Sequence, residues 1–396
     1  MCLSAVLIML SIFLDSTLGA CRVYLNGNLT QEQDPLILDH YEGLYNLMQP
    51  SGPFFELQRF QKMLVGCSTK NNVLLNTGTH HTTITCIKGQ LFNLSNRTRP
   101  VSFDEIRCRS SVASTIRTQN ATCANGKGRV YEIGFEVGGF PFITYFHTCY
   151  DLEKSSAIYS AHLLPGGSLS YAQINNNRPS FKVDGVTTKV RLAAVYTQNH
   201  QHDRFKKLLS SLDDATKYIN SKSYLAKGHL TPDGDAIINN WAEATYFYIN
   251  AVPQWQVINA GNWLRVENMV RKAAVRLNDT VHVYTGVHDV LQLPDINGSL
   301  VNMTLSEDAL VEIPKWLWKV VVHVPSNSAI VFITMNNPFV SNSEHLCENI
   351  CSSHGWHHQE FLDSRKGFTI CCSVFQAQKS INSIPTVGNI SNILHK

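Results

Sequence analysis

Cysteine placement sets the first limit on how this chain can fold. Six cysteines lie from Cys21 to Cys149, four lie from Cys347 to Cys372, and none lies between the two groups. The remaining one, Cys2, belongs to an N-terminal stretch in which Leu3 to Leu14 is an apolar run and Leu18-Gly19-Ala20 offers a small-residue cleavage point. That run is shorter than the roughly 20 residues a membrane span needs, and Asp15 ends it. The pattern predicts a secretory signal peptide over residues 1–20. Ten cysteines then remain, an even number, and an exported chain with that count predicts disulfides. The set Cys347, Cys351, His354, His357, His358, Cys371 and Cys372 also suits zinc, but an oxidising compartment favours bridges. Adjacent cysteines do not readily pair, so Cys371 and Cys372 are each expected to bridge to Cys347 or Cys351. Eight Asn-x-Ser/Thr sequons, at Asn28, Asn93, Asn96, Asn120, Asn278, Asn297, Asn302 and Asn389, agree with export.

The same distribution divides the mature chain. Residues 21–150 are expected to form a disulfide-rich β module, with strands in Val73 to Cys86 and Val130 to Tyr145 and loops in Asn93 to Pro100 and Thr118 to Lys127. His80-His81 in this module reads as a surface pair. The module carries no nameable chemistry; it is either a retained unit or a propeptide. Residues 151–396 are expected to form one domain of mixed helices and strands. Arg204 to Ser221 and Asp235 to Tyr248 have helical spacing, the latter with Asp235 as N-cap. Trp263, Val266, Val270, Ala273, Ala274 and Leu277 form the clearest apolar stripe, capped by Asn259 or Asn262. Thr280 to Val290, Trp316 to Val324 and Ala329 to Met335 read as strands. Trp316 to Met335 is the most apolar window after the leader. Lys319, His323, Pro325 and Asn327 split it, so it predicts two buried strands and no membrane span.

Charge excludes a globally basic protein. The formal net charge is +3, and losing Asp15 with the leader moves it only to +4. A polyanionic partner would have to meet a local basic groove.

Three linked segments carry the chemistry. The first is Lys227-Gly228-His229-Leu230-Thr231-Pro232. The second is Asn250-x-x-Pro253-Gln254. The third is Asn259-x-Gly261-x-Trp263, followed by Glu267 and Arg271 at spacings of eight and twelve from Asn259. An imidazole titrates near neutral pH and can take a proton from water and return it. A neutral amide oxygen suits Mg²⁺, which prefers hard oxygen ligands and keeps several waters. On one ideal helix Asn259, Glu267 and Arg271 would fall within an arc of about 120° and face one cleft. Alone, each residue has a plainer reading: His229 in a turn, Asn259 as a helix cap, and Glu267 with Arg271 as a surface ion pair.

Together, in this order, the segments resemble the DNA/RNA non-specific endonucleases, the ββα-metal nucleases. The resemblance covers about residues 150–375. It extends to Val283-Tyr284-Thr285-Gly286 and Pro314 to Val320 as later strands, and to Arg178 in Asn177-Arg178-Pro179-Ser180-Phe181. It implies an α+β fold whose nuclease domain has a central antiparallel sheet and flanking helices, preceded by the smaller disulfide-rich β module. It implies His229 as general base and Asn259 as the ligand of Mg²⁺, with Mn²⁺ as a substitute. Glu267 would hold water on the metal, Asn250 would order the site, and Lys227, Arg178 and Arg271 would bind phosphate. The partner would be RNA or DNA, recognised through its backbone. Family members carry Asp-Arg-Gly-His where this chain has Ala226-Lys227-Gly228-His229. Lysine keeps the charge but loses the bidentate fork, and the missing acid removes a supporting hydrogen bond.

Export, the Cys-rich N-terminal module and the Lys-Gly-His variant together look most like the secreted double-stranded-RNA-degrading nucleases of arthropods. Two other readings compete. One is a nuclease-like glycoprotein that binds nucleic acid and cuts it weakly. The other is a secreted glycoprotein with an adhesive role carried by the N-terminal module.

Overall fold

The computed structural model describes residues 19–30, 32–69, 71–95, 97–174, 178–186, 188–308, 310–340 and 344–396. Apart from Gly19 and Ala20, the expected leader lies outside them, as does the sequon at Asn96.

Alternating apolar residues build a six-stranded antiparallel sheet from residues 36–102, ordered Leu44–Leu47, Leu36–Tyr41, Lys62–Gly66, His81–Lys88, Leu91–Leu94, Val101–Ser102. Cys21–Cys86 and Cys67–Cys108 tie it. The second sheet has nine strands. Its path runs Thr369–Cys372, Ser328–Met335, Pro314–His323, Thr280–Val290, Ser156–Pro165, Ile143–Asp151, Gly128–Phe135, Thr115–Cys123. These pair antiparallel, and Asn392–Ile393 adds a parallel edge to Ser328–Met335. Pro314–His323 and Ser328–Met335 are almost wholly buried, as their apolar runs require. Position 150 lies inside Ile143–Asp151, whose neighbour Ser156–Pro165 belongs to the same sheet. Residues 21–150 and 151–396 therefore share a sheet as well as a hydrophobic core.

All ten cysteines from Cys21 onward are bridged. Cys123–Cys149 clamps two strands of the large sheet, and Cys347–Cys372 with Cys351–Cys371 staples the C-terminal segment. Asn28 departs from its sequon reading. It is 4% exposed and donates through Nδ2 to Asp104 Oδ1 and Gln90 Oε1 at 2.8 and 3.2 Å, so no glycan fits there in the folded chain.

Several local expectations change. Thr118 to Cys123 is strand, not loop; only Ala124 to Lys127 turns, with Ala124, Asn125 and Gly126 all at positive φ. In the window Val73 to Cys86 the strand starts only at His81, and Val130 to Tyr145 is two strands. The helix expected over Arg204 to Ser221 is two, Gln198–Leu209 and Leu212–Tyr218. Ser210 sits between them at φ 52°, and Ser211 caps the second by accepting from Asp214 N. Asp235 to Tyr248 holds only the short helix Asn239–Glu243 between single turns, because Asp235 is drawn into an ion pair. The long helix Leu264–Leu277 buries Val266, Met269, Val270, Ala273 and Ala274, as the stripe predicted. Neither Asn259 nor Asn262 caps it, since the chain already turns helically from Gln256.

Candidate active site

The histidine strand Leu225–His229 pairs antiparallel with Ala251–Trp255, and the chain then enters the long helix, giving a β-β-α unit. Strand alternation puts Lys227 and His229 on one face of the hairpin. Gly228 is required by packing: a Cβ there would lie 2.1 Å from the Gln254 side chain. Gln254 is fully buried, and neither of its amide atoms finds a partner among the described residues.

The His229 ring sits between Phe181 at 4.8 Å and Tyr246 at 4.7 Å, the latter edge-on. Its Nε2 is buried and has no hydrogen-bond partner among the described residues. Burial holds the imidazole down at about 4; Asp233 pulls against this and Arg178 reinforces it. His229 is therefore unprotonated at neutral pH, as a base must be. Asp233 accepts from Tyr246 Oη at 2.6 Å. Arg178, exposed, borders the adjoining cleft with Asp233, Gly234 and Tyr246. Lys227 Nζ lies 5.4 Å from the Phe181 ring centre and 5.7 Å from that of Tyr248. The structure thus gathers His229 and Lys227 around Phe181, while Arg178 lines the adjoining cleft that Tyr246 shares.

Asn250 has a different position. It is fully buried, accepts from Thr231 N at 2.9 Å and donates to Thr231 O and Thr245 O at 2.8 Å each. All its hydrogen-bonding capacity goes into fixing the loop that follows His229.

Glu267 and Arg271 lie next to that loop in a buried charge network. Arg271 donates to Asp235 Oδ1 at 2.7 Å and lies 3.8 Å from Glu267. The other Asp235 oxygen accepts from His162 Nε2 at 2.8 Å, and His162 Nδ1 faces Thr231 Oγ1 at 3.3 Å. Lys319, 1% exposed, donates to Thr285 Oγ1 at 2.5 Å and lies 5.4 Å from the Trp263 ring centre. Burial alone would raise Asp235, but His162, Arg271 and Lys319 hold its carboxyl well below the usual range. Burial pushes Glu267 up to about 7, against the pull of Lys319 and Arg271. Glu267 and Arg271 are thus neither exposed nor a simple surface pair.

Asn259 makes no hydrogen bond to this network among the described residues. Gly261 breaks the helical path after it, at φ −99° and ψ −121°, so the arc argument for an unbroken helix does not carry across. The Asn259 side chain is half-buried and has no hydrogen-bond partner among the described residues, His229 and Glu267 included. No group of three or more His, Cys, Asp or Glu side chains among the described residues could hold a metal ion. A single free carboxamide oxygen suits a cation that keeps its waters, so the residues fit a hydrated divalent ion at Asn259. Sequence reasoning missed His162, Asp235 and Lys319 as parts of the site. The signal for Lys319 was present: a lone cation in a buried strand requires a buried partner.

Residues 126–377 match the family described as DNA/RNA non-specific endonuclease. A salivary endonuclease of Lutzomyia longipalpis is 30% identical over 361 residues, covering 90% of this chain and 82% of the relative. The salivary protein Tsal2A of Glossina morsitans morsitans is 25% identical over 95% of both chains. A salivary endonuclease of Culex quinquefasciatus is 30% identical over 56% of this chain and 55% of its own length.

Proposed function

Since this chain belongs to the DNA/RNA non-specific endonuclease family, we propose that it is a secreted, Mg²⁺-dependent endonuclease cutting RNA, double-stranded RNA included, and DNA with little sequence preference. Nuclease activity, a nucleic-acid substrate and a divalent metal come with membership. The observation that carries the finer reading is the buried, unpartnered Nε2 of an unprotonated His229, with Lys227 over the neighbouring Phe181 ring and Arg178 in the adjoining cleft.

His229 Nε2 takes a proton from water, and the water oxygen attacks phosphorus as the bond to the 3′ oxygen breaks; that oxygen takes a proton from solvent and leaves as a hydroxyl. The products carry 5′ phosphates. Lys227 and Arg178 hold the non-bridging phosphate oxygens. Asn259 would hold the divalent ion, which would supply positive charge against the attacked phosphate and the leaving oxygen. Glu267 orients water beside that end of the site, and Arg271 fixes Glu267. Asn250 keeps His229 in place through Thr231. Bridging of all ten cysteines from Cys21 onward supports export. We read residues 21–150 as retained after maturation, because a cut near 150 would split one sheet.

EDTA is expected to abolish cleavage of duplex RNA, single-stranded RNA and plasmid DNA, and Mg²⁺ or Mn²⁺ to restore it. Full activity in EDTA would defeat the metal assignment. The pH dependence separates the two titrating groups. His229 stays neutral down to about 4, so it does not set the acid limb. Glu267 works ionised and titrates near 7, so kcat/KM is expected to fall as pH drops below that value. Glu267→Gln should be slower and should lose that limb; a limb unchanged in the variant counts against Glu267.

A further inference from the structure

The long helix continues past Arg271 along a shallow groove. Lys272 and Arg276 line it with Asn268, Val275 and Lys396, and Gly234 forms the end nearest the cleft. No Asp or Glu side chain borders it among the described residues. Some surface cations of this protein are ion-paired, Lys189 with Glu153, Lys207 with Glu307 and Arg365 with Asp363. Lys272, Arg276 and Lys396 have no ion pair among the described residues. What sets these three apart is that they line one groove, in a chain whose net charge is only +3.

Groove and catalytic cleft meet at Gly234, which borders both. A Cβ there would lie 2.9 Å from Arg271 Nη1, so a side chain would crowd the junction. From Arg271 to Arg276 the helix rises about 7.5 Å at 1.5 Å per residue. One strand of a duplex advances about 3.4 Å per phosphate. The groove therefore spans about two phosphates beyond Arg271.

We propose that this groove is a backbone subsite for the substrate polynucleotide. Lys272 and Arg276 would hold phosphates about two steps from the scissile one. This rests on the nuclease reading and extends it: the enzyme favours long substrates over minimal diesters, and gains that preference by charge, not base recognition.

The test is the double variant Lys272→Ala/Arg276→Ala, assayed on a duplex RNA of about 20 base pairs, which reaches past Arg276, and on bis(p-nitrophenyl) phosphate, which does not. KM for the duplex is expected to rise about tenfold, and the slope of log K against log salt to shrink by about two. Hydrolysis of the small diester should be unchanged. An unchanged duplex KM and salt slope overturn the proposal. So does an equal loss on both substrates, which would mean a disturbed catalytic centre. Duplex binding by His229→Ala, with and without the two changes, reads the same loss of affinity without cleavage. A parent protein that cuts nothing yet binds duplex with the predicted slope would sink the catalytic reading and leave the subsite standing.

Discussion

His229→Ala is expected to lower kcat on RNA and DNA by about 10²–10⁴-fold, the usual contribution of a positioned general base. Binding should change little, because Lys227, Arg178 and the groove cations remain. The reason is geometric. The imidazole is fixed on both sides by Phe181 and Tyr246, and its Nε2 has no partner among the described residues, so its lone pair is not committed to the protein. Burial keeps it unprotonated at any pH where a nuclease of this kind would be assayed. Initial rates on plasmid DNA and duplex RNA in Mg²⁺, with the thermal midpoint recorded alongside, make the measurement. Parental rates from a folded His229→Ala protein would remove the base from the mechanism.

Asp235→Ala is expected to cost about 3–5 kcal/mol of stability, the usual result of removing one member of a buried ion pair. Asp235 is 3% exposed and serves two partners at once, Arg271 and His162. Without it, Arg271 lies beside Lys319 with Glu267 as its main counter-charge, and Glu267 is itself held only partly ionised near neutral pH. The loss is larger than for any surface pair here, such as Lys189 with Glu153, where water screens both charges. Urea denaturation of parent and variant at pH 7 reads it directly. A midpoint within experimental error of the parent would mean the network is not a stabilising unit.

The long helix was legible because its stripe repeats over several turns, Thr280–Val290 because its apolar residues alternate, and Pro314–His323 and Ser328–Met335 because burial on both faces leaves nearly continuous apolar runs. Helix ends were less so. Ser210-Ser211 followed by Asp213 and Asp214 is a capping pattern in the middle of an apparently continuous repeat, and periodicity overrode it. The candidate site divides the same way. His229, Asn259, Glu267 and Arg271 sit within 43 residues and show as one motif. His162 and Lys319 come from distant strands and meet Asp235 only through the sheet order. One sequence holds no pairing information that would join them. An ordering role for Asn250 followed from the motif, but its bonds to Thr231 could not be read from spacing alone.

The amide at Asn259 is followed at once by Gly261 and Asn262, and both rest on the loop Glu360–Gly367. A Cβ at Gly261 would meet Lys366 O at 2.8 Å, and Asn262 donates to Glu360 O and Gly367 O at 2.6 and 2.7 Å. That loop runs directly into Thr369–Cys372, where Cys371 and Cys372 are both bridged. The end of the site proposed to hold the metal is thus scaffolded from behind by two disulfides, while the hairpin carrying the proposed base is not. Loss of those two bridges would loosen the support behind Asn259 while leaving the strand pairing of the histidine hairpin in place.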